Sequence, residues 1–341
     1  MTIKDIAIKT GVSMATVSRV INNSGYVSPK TRSIVEKVIR EYDFVPNAMA
    51  KGLSRKNSEM IGALIPEIDN PFFSGVIHGI NEICDDRKRN LLLCSTNESM
   101  ERELRLIRAM KQQRICGMIV ASSLDEEIQD KDYAALFNNF GSPVVLIDRS
   151  IIGTDLDGVF TDDARAITSL VALLFDNGHR HIEYFTGQQT SAGKKRLAGF
   201  RAAFDRYGLN CRNEWIHFCS FSKREGYQIT KAIFSRPREQ WPTAIVASNN
   251  MLSLGVLRAL NELGLQIPQD VAFCAYDQLE IAEYLHYNIT LIEKDNAEIG
   301  RLAAQILFER IEGTASEKKL NVILQPRLVV RGSEKFPVNR L

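Results

Sequence analysis

The feature that most constrains the fold is an alternation of short apolar runs with amphipathic segments, which begins at Met60. Short apolar runs between polar segments are typical of buried parallel strands, and the amphipathic segments between them are typical of helices that cover a sheet. The alternation therefore predicts an α/β fold of the doubly wound kind. The first set of predicted strands is IGALIPEI, LLLCST, CGMIVAS and PVVLID, and the second is GVFTD, HIEYFTG, WIHFCS, TAIVAS and VAFCAYD.

Two such sets predict two similar lobes. Ligands of doubly wound sheets bind beyond the carboxyl ends of the strands, and two facing lobes form a cleft there. Polar residues that follow the strands are therefore candidate ligand contacts, although Asp69 and Asn249 are equally consistent with helix caps. The candidates are Asp69, Asn70, Asp148, Arg149, residues 188–195, Asn249, Asn250 and Asp277. The helices predicted between strands are 72–88, 98–113, 127–139, 163–177, 194–207, 223–235 and 250–263.

A different pattern precedes Met60: residues 2–22 have the marks of a helix-turn-helix. Thr2 and Asp5 have capping-box spacing, Gly11 supplies a turn, and Ser13 can cap a second helix. The second helix of such a motif lies in the major groove of DNA, although a small helical hairpin packed on an enzyme has the same pattern. The predicted apolar faces consist of Ile3, Ile6 and Ala7 in the first helix and Val12, Val17, Val20 and Ile21 in the second.

A third helix is predicted from Ser28 and Pro29, with Ile34, Val35, Val38 and Ile39 at core spacing. Three short helices make a minimal DNA-binding headpiece. Its charge agrees, because residues 1–56 contain ten Lys or Arg against four Asp or Glu, a net charge of +6. The remaining residues hold 33 against 37, a net charge of −4. We therefore expect the basic end to meet phosphate.

Within the second helix, side-chain chemistry predicts what each position reads. Arg19 can make a bidentate pair with guanine, whereas Met14 and Ala15 offer apolar contact that suits a thymine methyl group. The hydroxyl residues Ser13, Thr16 and Ser18 are expected to bond phosphates or to cap the helix.

The length of 341 residues suits a small headpiece followed by two medium domains. Six scattered cysteines without CxxC spacing are expected to be reduced core residues, which indicates the cytoplasm. We find no signal peptide and no apolar run long enough to span a membrane. His179 and His181 could form a metal pair, but a turn before a strand is a commoner place for such histidines, and neither a metal nor a cofactor is predicted.

Residues 2–23, the loop 25–28 and the segment 46–53 closely resemble the LacI/GalR family of bacterial transcriptional regulators, which includes the lac and purine repressors. The resemblance continues through the whole chain. It implies a three-helix helix-turn-helix headpiece plus an α/β periplasmic-binding-protein-like core of two doubly wound parallel-sheet lobes. The implied domains are a headpiece at 1–45, a hinge helix and linker at 46–59, a first lobe at 60–161 plus 292–321, and a second lobe at 162–291 plus 322–341.

The resemblance also implies site residues. Phe73 and Phe221 would flank a ligand, Arg196 and Asn249 would hydrogen-bond it, and Asp277 would accept from hydroxyl groups. Together with the strand-end candidates Asp69, Asp148 and Arg149, these residues give the predicted effector set: Asp69, Phe73, Asp148, Arg149, Arg196, Phe221, Asn249 and Asp277. The implied DNA-binding set is Ser13, Met14, Ala15, Thr16, Ser18, Arg19, Asn22, Tyr26, Asn47, Ala50 and Leu53.

Three departures from the family pattern leave the ligand open. The family has Asn-Asp at Asn249-Asn250, Gly-Phe/Tyr-Asp-Asp at residues 275–278, and Gln-Pro at Glu293-Lys294. Four cations, Lys194, Lys195, Arg196 and Arg149, could suit an anionic ligand such as a sugar acid or sugar phosphate, although a lysine at a helix start more commonly faces water.

The resemblance therefore implies a repressor of a carbohydrate-utilisation operon that binds a palindromic operator as a homodimer and responds to a sugar, sugar acid or sugar phosphate. A dimer is expected because the family's C-terminal heptad segment for tetramers is missing. The alternatives are a cytosolic small-molecule-binding module and an enzyme on a doubly wound fold. The chain contains neither GxGxxG after the first strand nor GxxxxGK[ST], and it has no nucleophile elbow, so its motifs do not favour an enzyme.

Overall fold

A computed structural model describes residues 1–44, 58–123, 131–187, 191–284 and 287–340. The chain divides into two compact units, Met1–Ser58 and Glu59–Leu341, here called the headpiece and the core. The predicted hinge helix from Pro46 to Leu53 lies outside the described residues, as do Gln188 to Thr190 of the predicted cleft loop.

The headpiece contains, within residues 1–44, the helices α1 (Ile3–Thr10), α2 (Met14–Ile21) and α3 (Pro29–Glu41). Each begins at the cap that the sequence predicts. Thr2 and Asp5 form a complete capping box, and the Ser13 side chain accepts from the Thr16 amide at 3.1 Å. Ser28 caps α3 by accepting from the Thr31 amide at 3.2 Å. These short helices thus use side chains to satisfy backbone donors at their N-termini.

The hydrophobic interior of the headpiece is a small cluster centred on the buried residues Ile6, Ala7, Val17, Val20 and Val35. Most of the predicted apolar faces are confirmed, but Ile34 is not part of the core, since it remains 44% exposed. Val35, Val38 and Ile39 already form the inward stripe of α3, and Ile34 lies to one side of it.

The described part of the core contains two six-stranded sheets, one in each lobe. The chain passes from the first lobe to the second after β5. The elements up to that point are β1 (Met60–Ile65), α4 (Pro71–Asp86), β2 (Asn90–Ser95), α5 (Met100–Gln112), β3 (Gly117–Val120), α6 (Lys131–Asn138), β4 (Val144–Ile147) and β5 (Asp157–Thr161). After the crossing come α7 (Asp163–Asp176), β6 (Ile182–Gly187), α8 (Ser191–Arg206), β7 (Ile216–Cys219), α9 (Lys223–Phe234), β8 (Ala244–Ala247), α10 (Asn250–Glu262), β9 (Ala272–Tyr276), α11 (Glu280–Tyr284) and β10 (Thr290–Glu293). The last elements are α12 (Asn296–Glu312), β11 (Asn321–Leu324) and β12 (Arg327–Val329).

The two sheets have the same topology, with strand orders β11-β5-β4-β3-β1-β2 and β12-β10-β9-β8-β6-β7. Neighbouring strands are parallel except for β12, which runs antiparallel to β10. The strand GVFTD, predicted in the second set, is β5 and belongs to the first sheet, because it pairs with β4. The predicted lobe boundaries also differ slightly from the sheets, since β10 lies in the second sheet and β11, ending at Leu324, lies in the first.

Two helices pack in the lobe opposite to the strand that precedes them. Helix α7 follows β5 of the first sheet but packs on α8 in the second lobe, and α12 follows β10 of the second sheet but packs on α4 in the first. Glycines allow this second pair to approach closely: a Cβ atom at Gly79 would lie 1.9 Å from the Ala297 carbonyl oxygen. A Cβ atom at Gly300 would likewise lie 2.0 Å from the carbonyl oxygen of Val76.

All six cysteines are free thiols, as predicted, and Cys84, Cys116 and Cys274 are buried. Burial raises the pKa of Cys84 to about 11, so this thiol stays protonated at neutral pH. Among the described residues, none of the helices combines the length and the apolarity that crossing a membrane requires.

Candidate functional site

The strand ends of both lobes converge on a narrow cavity of about 30 Å³ inside the core. A larger space of about 690 Å³ adjoins it, since Glu67, Glu98 and Phe221 line both. We call the two together the cleft. The inner cavity is lined by Glu67, Asn70, Phe72, Phe73, Glu98, Asp148, Arg149, Ala192, Arg196, Phe221, Asn249, Asp277 and Lys294.

Aromatic rings form the apolar walls of the inner cavity. Phe72 and Phe73 begin α4 and pack edge to face with ring centroids 4.8 Å apart. Phe221 comes from the other lobe, where its ring rests on Gly187 at the end of β6. A Cβ atom at Gly187 would lie 2.6 Å from the ring of Phe221, so glycine is required for this position of the aromatic wall.

Arg196 lies on α8 and is 4% exposed. Its Nε donates to the Asp163 carboxylate at 3.0 Å, one terminal nitrogen donates to the Ser248 carbonyl at 2.7 Å, and its guanidinium lies 4.0 Å from the centroid of the Tyr276 ring. Burial acts to raise the pKa of Asp163, but the charges of Arg196 and Lys294 outweigh it and lower that pKa. Arg196 is therefore a fixed cation, oriented before any ligand binds.

Lys294 and Asp277 form a second buried pair, with the Lys294 Nζ 2.9 Å from an Asp277 carboxylate oxygen. The ammonium also lies 4.0 Å from the centroid of the Phe72 ring, which favours a cation. In the described part of the chain, neither the nitrogen nor that oxygen is aligned for a hydrogen bond. Both atoms thus keep hydrogen-bonding capacity at the cavity wall.

Arg149 is the third buried cation. Its two terminal nitrogens donate to the two carboxylate oxygens of Glu98 at 2.8 and 2.7 Å, and one of them also donates to the Ser122 carbonyl at 3.0 Å. Asp148 lies beside it, with a carboxylate oxygen 3.6 Å from the Arg149 Nε.

Three asparagines lie at helix starts on the two sides of the cleft, and two of them are hydrogen-bonded to each other. Asn70 caps α4 by accepting from the Phe72 amide at 3.0 Å, and its oxygen also accepts from the side-chain nitrogen of Asn250 at 3.0 Å. Asn249 caps α10 by accepting from the Leu252 amide at 2.8 Å. The capping alternative for Asn249 thus holds alongside its place in the cavity lining. In the first lobe the cap is Asn70 and not Asp69.

The structure brings seven of the eight predicted effector residues around the inner cavity, whereas the exposed Asp69 lines only the outer space. The seven are Phe73, Asp148, Arg149, Arg196, Phe221, Asn249 and Asp277. The predicted cations Lys194 and Lys195 do not line either space. Sequence reasoning missed Glu98 and Phe72, and it treated Lys294 only as a departure from the family pattern.

The headpiece presents a separate polar surface on α2. Met14 is 56% exposed and Tyr26, in the following loop, is 86% exposed. Ala15 and Arg19 are also exposed, whereas Thr16, Ser18 and Asn22 are half-buried. The hydroxyls of Ser13 and Thr16 lie 2.9 Å apart, and Asn22 donates to Ser18 at 3.1 Å. The predicted contacts Asn47, Ala50 and Leu53 lie outside the described residues.

The predicted alternative of a metal pair at His179 is not supported. Its Nδ1 lies 3.0 Å from the Thr243 hydroxyl and its Nε2 lies 3.0 Å from the Glu334 carbonyl oxygen, so both ring nitrogens are occupied. Burial lowers the pKa of His179, which keeps the ring neutral at pH 7. Across the described ranges, no group of three or more His, Cys, Asp or Glu side chains could hold a metal ion.

Comparison with known families gives matches to both units. Residues 2–47 match the model for bacterial regulatory proteins of the lacI family, and residues 58–331 match the model for periplasmic binding proteins and the sugar-binding domain of the LacI family. The chain belongs to the LacI family. The family confirms the predicted headpiece and periplasmic-binding-protein-like core of this LacI-family chain.

Individual relatives match over nearly the whole length. The chain is 32% identical to the HTH-type transcriptional repressor PurR of Vibrio vulnificus (strain CMCP6), over 98% of each sequence. It is 31% identical to the ribose operon repressor of Escherichia coli (strain K12), over 97% of this chain and 99% of that one. A solved lac repressor dimer bound to operator and the anti-inducer ONPF is 26% identical, with a TM-score of 0.83, over 98% of this chain and 99% of that chain.

The LacI-family chain is therefore a DNA-binding transcriptional repressor with an effector-binding domain, and it is not an enzyme. The two alternatives, an enzyme on a doubly wound fold and a binding module without DNA, are excluded by the family.

Proposed function

We propose that this repressor controls a carbohydrate-utilisation operon in the cytoplasm and that a sugar, bound between its two lobes, regulates it. The observation that carries the proposal is the cleft, in which aromatic walls and fixed donors and acceptors from both lobes line the inner cavity, and a space of about 690 Å³ adjoins it. Sugars have apolar ring faces and a belt of hydroxyl groups, so they require such a combination.

Six of the eight predicted effector residues have a direct place in this proposal. Phe73 and Phe221 would cover the two apolar faces of a sugar ring. Arg196 would donate to its oxygens, as would the amide nitrogen of Asn249, whose oxygen already caps α10. Asp277 would accept from a hydroxyl, because its carboxylate oxygen facing Lys294 has hydrogen-bonding capacity left. Asp69 would contribute only from the outer space.

The names of relatives support a carbohydrate without fixing which one. One relative is a ribose operon repressor, and one solved neighbour is a complex of the regulator CelR with cellobiose. That neighbour has a TM-score of 0.72 and 27% identity over 98% of this chain and 99% of its own. Purines form the contrasting ligand class, because other relatives carry the name PurR.

On the DNA side, we propose that two headpieces of a homodimer bind the half-sites of a palindromic operator. A lac repressor of similar fold is a dimer on operator DNA. Met14, Ala15, Arg19 and Tyr26 are exposed and would contact DNA, while Ser13, Thr16, Ser18 and Asn22 would position α2 on the phosphates. The hinge residues Asn47, Ala50 and Leu53 would complete the contact, with Leu53 wedged into the minor groove.

A thermal-shift panel tests the proposal. The purified protein is heated with uncharged pentoses, hexoses and disaccharides, with sugar acids and sugar phosphates, and with purine bases as the contrasting class. A ligand at 100 times its dissociation constant stabilises the folded protein by about 2.7 kcal/mol, which is a shift of several degrees. We expect at least one carbohydrate to raise the melting temperature and the purines to have no effect. Stabilisation by a purine alone would overturn the proposal.

A further inference from the structure

We propose that Glu98 excludes anionic effectors from the cleft, because its carboxylate occupies the Arg149 guanidinium that would otherwise bind a carboxylate or phosphate group. Glu98 would thus be a specificity-determining residue, and the effector would be an uncharged sugar. The inference rests on the proposed function, since it concerns the same cleft.

Arg149 and Glu98 form a bidentate ion pair. Two parallel N–H donors of Arg149 meet the two oxygens of Glu98 at 2.8 and 2.7 Å. This is the bidentate arrangement by which arginine recognises a ligand carboxylate or phosphate. Arg149 is 4% exposed, and the Ser122 carbonyl accepts another hydrogen bond from it at 3.0 Å. While Glu98 is in place, a ligand anion finds no paired donors on Arg149.

The conformation of the loop after β2 determines the position of Glu98. The side chain comes from the loop after β2, where Asn97 and Glu98 have φ angles of 52° and 54°. Two successive residues with side chains in the left-handed region are energetically unfavourable, and such conformations persist where surrounding contacts hold them. Here the Asn97 amide donates to the Pro66 carbonyl at 2.7 Å. The loop is therefore held in the conformation that presents Glu98 to the buried arginine.

Glu98 lies between the outer space of the cleft and the buried Arg149. The Glu98 side chain is 38% exposed, whereas the Arg149 side chain is 5% exposed. Glu98 lines both the inner cavity and the outer space, so it lies on the side from which a ligand would enter. In this position its carboxylate takes the place that the acidic group of a ligand would need.

The cleft carries an excess of negative charge. Its described lining holds six carboxylates, from Glu67, Asp69, Glu98, Asp148, Glu225 and Asp277, but only three cations, from Arg149, Arg196 and Lys294. Arg196 and Lys294 are already paired with Asp163 and Asp277. A ligand anion would therefore enter a site with a formal charge of −3, and Coulomb repulsion opposes it. Of the four cations that suggested an anionic ligand from sequence, Arg149 and Arg196 are thus paired with carboxylates, and Lys194 and Lys195 do not line the cleft.

The experiment compares matched ligands on matched proteins. Calorimetry measures the binding of glucose, galactose and ribose, and of glucuronate, galacturonate and ribose 5-phosphate. The proteins are the parent, Glu98→Gln and Glu98→Ser. Serine is included because the carbonyl oxygen of glutamine can still accept from Arg149. Glu101→Gln is the control, since it removes a carboxylate from the exposed start of α5, three residues from Glu98, where it lines neither space of the cleft.

We expect the parent and Glu101→Gln to bind an uncharged sugar and to bind its acidic counterpart at least tenfold more weakly. In Glu98→Ser the acidic sugar should gain at least tenfold in affinity, and added salt should reduce that gain. Equal affinity of the parent for both members of a matched pair would overturn the inference. So would a Glu98→Ser protein that binds the uncharged sugar like the parent but gains nothing for the acid.

Inorganic phosphate, titrated into the same proteins, separates failure of this inference from failure of the proposed function. If none of the sugars binds but phosphate binds Glu98→Ser and not the parent, the blocked arginine is supported and the choice of carbohydrate is wrong. If phosphate binds none of the proteins, or binds all of them equally, Glu98 does not control access of anions to Arg149. Melting curves of each variant without ligand establish that it is folded.

Discussion

Glu183 on β6 is a fully buried carboxylate surrounded by positive or protonatable side chains. Arg236 donates to it at 2.9 Å, His181 lies 3.4 Å away, and His217 is hydrogen-bonded to its second oxygen. Burial acts to raise the pKa of Glu183, but the hydrogen bonds from the two histidines and the charge of Arg236 lower it from 4.5 to about 2. This carboxylate should therefore stabilise the core at neutral pH and lose that effect in acid.

The first prediction concerns this pH dependence. A lowered pKa stabilises the fold fully above the unfolded-state pKa, here 4.5, and the contribution disappears as pH falls through the folded-state value of about 2. Glu183→Gln should therefore cost about 3 kcal/mol of unfolding free energy at pH 7, and much less near pH 3, as measured by urea unfolding. Glu214→Gln, whose side chain is 71% exposed in its pair with Arg212, should change little at either pH.

The second prediction concerns Asp277 in the cleft. Asp277→Asn keeps the shape of the side chain but removes the charge that faces Lys294 and the strong acceptor proposed for a ligand hydroxyl. The affinity for the effector should fall at least tenfold, or about 1.4 kcal/mol, in a calorimetric titration. Operator binding without ligand should be retained. Arg196→Ala is a poorer test, since it leaves Asp163 buried without its partner and should also destabilise the fold by roughly 3 to 5 kcal/mol.

Sequence reasoning succeeded for residues whose role is local. The caps at Thr2, Ser13 and Ser28 depend on neighbours within three positions, so their spacing predicts them. Glu98 and Lys294 could not be predicted in this way. Glu98 meets an arginine 51 positions away, and Lys294 meets Asp277 only because β10 and β9, which precede them, are neighbouring parallel strands of one sheet. Such pairs depend on topology and on loop conformation, which spacing does not encode.

At the scale of elements, the third prediction concerns sequence choice by α2. Met14 and Ala15 are exposed at its start and carry no strong donor or acceptor. Replacing both with the pair from a relative of known operator should change the preferred half-site by about 1 to 3 kcal/mol per base pair and leave the salt dependence nearly unchanged. Selection from a randomised DNA pool measures this. If parent and variant enrich the same half-site, these positions do not read bases and Arg19 carries the choice.

The fourth prediction concerns the packing of α4 against α12. Because a Cβ atom at Gly79 would lie 1.9 Å from the Ala297 carbonyl oxygen, Gly79→Ala forces the two helices apart. The unfolding free energy of the core should fall by roughly 1 to 3 kcal/mol or more in chemical denaturation. Asn81→Ala, on the exposed side of the same helix, is the control and should stay within about 0.5 kcal/mol of the parent. An unchanged Gly79→Ala protein would mean that the helices can separate freely.

Most elements of the core were predictable because apolar runs and amphipathic segments alternate so regularly. Predicted helices 163–177, 223–235 and 250–263 differ from the observed ones by a single residue at the C-terminal end. Helix α12 was missed, and many of its inward positions are small residues such as Gly300, Ala303 and Ala304, which give a weak apolar signal. Strand β11 is an edge strand with alternating exposure, and only its pairing with β5 reveals its lobe.

At the scale of the whole molecule, the two lobes of the core have the same strand order, and the chain passes between them three times: after β5, after β10 and between β11 and β12. Asn70 and Asn250 add a hydrogen bond between the helix starts on the two sides of the cleft. A ligand that contacts both lobes must therefore alter the balance between their arrangements, because its contacts are complete in only one of them. We expect that balance to be coupled to operator binding in the dimer.

The central claim is this coupling between the cleft and the operator, and a fluorescence anisotropy titration of operator DNA with and without saturating effector tests it most directly. Effector should change the operator dissociation constant by about 5- to 150-fold at fixed salt, and operator should change the effector affinity by the same factor. Asp277→Asn should show no change at an effector concentration that saturates only the parent. An operator affinity that stays constant while the effector demonstrably occupies the cleft would contradict the account.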